Sequence, residues 1–214
     1  MVRSLPRRPA HGSIRGMTPE LAAALAEIDQ AFAGQICETD RILPQMAQGM
    51  ADGTVHFDWV AQHALARGDW REWPDRQRIA IRQFIDAWWQ DLITTAEPRH
   101  SVTHAFELYA AIVGLEAAVA AWPDDAVADA HLVAVDDLWL SDLVMDDSPF
   151  GWLGDLYDEQ SLVVTAQRWY LNVGVVRLRR AGAVELAEKA NLLARRSWED
   201  RIDHRGGKRP TAGH

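Results

Sequence analysis

Apolar residues recur at steps of three and four along most of this chain, the spacing that lines up one face of an α-helix. The clearest case is Trp70 to Leu92, where Ile81, Phe84, Ile85, Trp88, Trp89 and Leu92 form one stripe, and Arg78, Arg82, Asp86 and Gln90 fall on the other side. Pro74 suits the first helical position and Asp75 the positive end of the helix dipole. Upstream, Thr18-Pro19-Glu20 is a start signal before Leu21, Leu25, Ile28 and Phe32. A second set, Ile36, Ile42, Leu43, Met46 and Met50, stops at Asp52-Gly53, with Asp40 capping so that Pro44 falls in the first turn. A third helix fits Val55 to Leu65, closed by Gly68.

Downstream of Glu97-Pro98, Ser101 or Thr103 caps a helix that carries Val102, Phe106, Tyr109, Ala110, Val113 and Val119, up to Trp122-Pro123. Asp124 or Asp125 opens the next, with Val127, Leu132, Val135, Leu138, Trp139 and Leu143 as its apolar set. Phe150, Trp152 and Leu153 stand among Pro149, Gly151 and Gly154, which predicts a short helical turn packed inward. Glu159 to Arg180 is rich in β-branched residues but too long for a strand, so it reads as helix. Gly182 separates it from a last helix with Val184, Leu186, Ala190, Leu193 and Trp198. Eight or so helices with short links and no convincing strand predict an all-α fold. The arrangement expected is an irregular stack of antiparallel helical hairpins, with a closed bundle as the alternative. Residues 1–16 read as a disordered leader, 17–204 as a single helical domain and 205–214 as a disordered tail.

Two tryptophan motifs carry a resemblance. Trp70-x-x-Trp73-Pro74 followed by Phe84-x-x-Ala87-Trp88-Trp89, after the Leu43-Pro44 and Phe57 helices, resembles a group of bacterial all-helical proteins of HEAT-like appearance, over roughly residues 35 to 185. The two-helix spacing of roughly forty residues is near the HEAT period, although no residue-level repeat accompanies it. The resemblance implies a fold and brings no activity, cofactor or site residue with it.

Composition narrows the setting. The single cysteine, Cys37, forms no internal disulfide and no zinc-cysteine site, which points to a reducing cytoplasm. No stretch approaches the length of an apolar membrane span. The net charge of -9 is unevenly distributed: no lysine or arginine occurs between His100 and Gln167, whereas arginines gather from Arg168 onward. Mutual neutralisation, within the fold or between copies, is the expected use of that asymmetry, and the acidic middle argues against nucleic acid.

Candidate chemistry is sparse. His100, His104 and Glu107 would share one face of a continuous helix and offer a divalent metal two imidazoles and a carboxylate. Asp124, Asp125 and Asp129 with Asp136 and Asp137 resemble the magnesium-holding aspartates of helical prenyl-transferring enzymes, but a capping acid followed by a solvated face is the simpler account. No nucleophile or phosphate loop stands out, so neither catalytic residues nor a cofactor is assigned. Trp70, Trp73, Trp88 and Trp89 are either core or a partner-binding surface. The function expected is a non-catalytic helical scaffold or adaptor that binds a protein partner, with a homo-oligomer possible. A metal-dependent enzyme using the acidic middle or the His100/His104/Glu107 face is the alternative.

Overall fold

The computed structural model describes residues 17–33, 38–55, 66 and 68–195. The expected leader, the expected tail, Cys37, Trp198 and most of the helix expected after Thr54 lie outside them. Every regular element among the described residues is helical, and no helix there is long and apolar enough to cross a membrane. The chain forms two compact units, one of residues 1–56 and 69–91, the other of 57–68 and 92–214.

The first unit holds α1 (Pro19–Ala31), α2 (Glu38–Asp52) and most of α3 (Asp75–Ile93). Thr18 caps α1 as its sequence predicts, with Oγ accepting from Leu21 N–H at 3.3 Å. Its own N–H donates to Asp91 Oδ1 at 2.8 Å, which ties α1 to α3. Pro44 lies inside α2, not in its first turn, because the helix already begins at Glu38. Burial of Ala47, Met50 and Ala51 offsets the backbone bond lost at the proline. Gly53, at φ 74°, ends the helix. Pro74 sits one residue before α3 and supplies the first carbonyl, which accepts from Arg78 N–H at 3.2 Å.

The α3 stripe is buried in full, and Trp88 also donates its indole N–H to Met50 C=O at 3.3 Å. Trp70 is buried as well, and Trp73 packs edge-on against Phe32 at 5.7 Å. Of the two readings of these tryptophans, core packing is the one observed. Arg82 and Asp86 pair on the exposed side at 3.0 Å.

The second unit contains α4 (Val102–Val113), α5 (Leu115–Ala120), α6 (Ala126–Val144), α7 (Glu159–Trp169), α8 (Val175–Arg180) and α9 (Val184–Asn191). The single helix expected from Val102 to Trp122 is broken at Gly114, whose φ of 89° no side-chain-bearing residue adopts easily. Asp125 caps α6, accepting from Val127 N–H at 2.8 Å. The inward turn expected around Phe150 is a 3-10 turn, Gly151–Asp155, with Phe150 and Leu153 buried. The long run from Glu159 is helical to Arg180, but Tyr170–Gly174 forms a π-helical turn between α7 and α8. The last helix stops at Asn191, short of the expected end, and passes into a 3-10 turn at Leu192–Ala194.

Candidate functional site

The unit's polar interior lies between α6 and the α7, π-turn and α8 segment, which run antiparallel. Asp129 faces Arg177 and, seven residues on, Asp136 faces Tyr170 seven residues back. A seven-residue step returns to nearly the same helix face, so two aspartates of one helix meet a cation and a phenol of the other. Arg177 is fully used: Nε donates to Asp129 Oδ1 at 2.6 Å, and its two terminal nitrogens donate to the Trp122 and Pro123 carbonyls. Asp129 Oδ2 also accepts from Arg180, and Arg180 pairs with Asp124. Lys189 of α9 binds Asp137 Oδ1 at 2.9 Å and Ser141 Oγ at 2.7 Å.

Asp124, Asp129 and Asp137 of the acidic middle are thus paired within the fold with C-terminal bases. This corrects the expectation of a solvated aspartate face: Asp125 does cap, but Asp129 and Asp136 are buried. The reason is that Arg177 and Tyr170, about 50 and 34 residues downstream, supply partners that no local pattern displays.

Rings surround the Asp136 end. Phe106 and Trp139 lie 5.1 Å apart, Trp139 and Phe150 5.2 Å, Trp122 and Trp169 6.3 Å, and Trp169 and Tyr170 5.1 Å. Tyr170 O–H donates to Asp136 Oδ1, while Oδ2 has no partner among the described residues. Removal from water pushes the Asp136 carboxyl up to about 7, against the lowering effect of the tyrosine bond and of Lys189 and Arg177. The Tyr170 hydroxyl is pushed well above its ordinary value by the same burial and by the adjacent carboxylate. Gly174 belongs to this arrangement, since a Cβ there would stand 2.6 Å from Tyr170 Cδ1. Asp136 enters the sequence reading only as one of the candidate magnesium aspartates, and Tyr170, Arg177 and Gly174 are not singled out there as a site. The signal was an isolated glycine in an otherwise helical pattern, four residues after a tyrosine.

The metal constellation does not assemble. His100 precedes α4, so the continuous helix that its spacing requires is absent. His104 is exposed whereas Glu107, one turn on, is buried, so the carboxylate is withdrawn from the surface that bears the imidazole. Burial pushes the Glu107 carboxyl up to about 7, partly offset by the nearby Trp152 side chain. Among the described residues, no three histidines, cysteines, aspartates or glutamates come together as metal ligands. A general acid must touch what it protonates, and Asp136 is 0% exposed and Glu107 7%.

Comparison with protein families, curated proteins and solved structures gives no match.

The outer side of the same segment differs. Val164, Leu171 and Val176 are exposed, Val176 at 63%. The step from Leu171 to Val176 crosses the π turn, where five residues rather than four complete a turn. They therefore continue one stripe, flanked by exposed Arg168 and Arg179. Arg168 and Arg179 make no ion pair among the described residues.

Proposed function

We propose that this chain is a non-catalytic helical interaction protein, an adaptor of the bacterial cytosol that binds a protein partner through the outer face of α7, the π turn and α8. The observation that supports this reading is the exposed Val164, Leu171 and Val176 stripe bordered by Arg168 and Arg179. Exposed apolar side chains framed by arginine make a characteristic binding surface. The inner face of the segment is anchored through Arg177 and Tyr170, so the outer face is presented on a rigid support and little ordering entropy opposes binding. The interior ionisable groups serve the anchoring. The resemblance to HEAT-like helical proteins belongs to the same proposal, because such folds work by offering helix faces to partners.

The test is affinity capture from a bacterial lysate with the wild-type chain and with Val176→Glu. A partner retained by the wild type and lost from the folded variant supports the proposal. Identical retention by both removes this face from the function.

A further inference from the structure

The second unit carries another exposed apolar face, opposite in charge. On α6 Leu138 is 64% exposed, and the C-cap residue Met145, seven residues on, is also exposed. Their charged neighbours are Asp142 and Asp147, neither in an ion pair among the described residues. The helix bears no base in its last turn, where the dipole is negative and acids are unfavourable. Asp142 is held above the ordinary carboxylate range by partial burial and by repulsion from Asp147, against a smaller lowering effect of Lys189. Among the described residues no ion pair reaches Asp142 or Asp147, whereas Asp124, Asp129 and Asp137 all have bases.

The arginine-bordered stripe has the complementary deficit: apolar residues at its centre and two cations with no ion pair among the described residues. Gln167, next to Arg168, donates to Asp146 Oδ1 at 2.7 Å and to the Leu143 carbonyl at 2.9 Å. The acidic end of α6 therefore lies beside the start of the arginine-bordered stripe on the same unit. Two copies turned about a twofold axis can place acid on arginine twice while covering the apolar residues of both.

We propose that the partner this face takes is a second copy of the chain, with Leu138, Met145, Asp142 and Asp147 of one protomer docked on Val164, Leu171, Val176, Arg168 and Arg179 of the other. This names the partner of the face proposed above and rests on that reading. Charge matching makes the association salt-sensitive and selective.

Sedimentation velocity of the full chain over a range of concentrations and at low and high salt tests it. Two charge-reversed variants are used, Arg168→Glu/Arg179→Glu and Asp142→Lys/Asp147→Lys, with circular dichroism to confirm folding. Arg168, Arg179 and Asp147 are exposed and Asp142 is half-buried at the helix surface, so substitutions of this kind leave the helices intact. The wild type is expected to self-associate, each variant to do so at least about tenfold more weakly, and an equimolar mixture of the two to recover association. A wild type that stays monomeric at low salt, or variants that associate as the wild type does, overturns the proposal. If the wild type is monomeric yet Val176→Glu still abolishes lysate capture, self-docking fails and the adaptor reading stands. If self-association appears and capture is unaffected by Val176→Glu, the second copy is the partner and the adaptor reading fails.

Discussion

Replacing Arg177 by methionine removes a guanidinium that ties α8 to α6 and to the Trp122 and Pro123 carbonyls just beyond α5. The side chain is 7% exposed and its ion-pair partner Asp129 4%. Loss of one member of a buried pair costs about 3–5 kcal/mol, because the remaining charge is left undercompensated. Arg180 still reaches Asp129 Oδ2 at 2.8 Å, which favours the lower half of that range. The Trp122 and Pro123 carbonyls lose a donor as well, at about 1–3 kcal/mol for each that stays dry. The two corrections oppose each other, so about 4 kcal/mol is the expected loss. Urea denaturation followed by tryptophan fluorescence reads it: with a slope of about 2 kcal/mol per molar, the midpoint falls by about 2 M. The double variant Asp129→Leu/Arg177→Met removes both charges and should recover much of the loss. A loss under about 1 kcal/mol in the single variant, or a double variant less stable than the single one, would refute the account of this pair as a buried structural anchor.

Trp88→Ala should cost about 3–5 kcal/mol, since the ring is 2% exposed and its indole is bonded to Met50. Arg78→Ala, on the exposed side with a 2.5 Å ion pair to Asp75, should cost under about 0.5 kcal/mol; equal small losses in denaturation would deny the stripe its role. Stability should also fall as pH rises toward 8. Glu107 and Asp136 are raised from 4.5 and 3.8 to about 7 in the fold, so the folded chain binds protons that the unfolded one has released. That contribution is complete below about pH 4 and is lost on passing about 7, with a total on the order of a few kcal/mol. Asp136→Asn should flatten the slope of melting temperature against pH, and an unchanged slope would assign the effect elsewhere.

The helices were legible in the sequence because burial is periodic where a face meets only apolar neighbours. The α3 stripe and the Thr18 cap are cases where local chemistry decides the element. The site was less legible because α6 is patterned on two sides at once. Its inner face mixes Asp129 and Asp136 with Leu132, Trp139 and Leu143, and its outer face mixes Asp137 and Asp142 with exposed Leu138 and Met145. With acids and apolar residues on both sides, the helical period no longer separates inside from outside. Leu138 and Val176, read as core, are therefore exposed, and Asp136, read as solvated, is buried. Gly114 shows the other limit: a glycine between two helix-forming runs is compatible with continuation, and the break lies in its φ of 89°.

The glycine in the π turn binds two positions to a common fate. Because any side chain at 174 would enter the space of the Tyr170 ring, substitution at either position is felt at the other. In descendants or relatives of this chain, an aromatic at 170 and glycine at 174 should be inherited together, and a smaller residue at 170 should be what first permits alanine at 174.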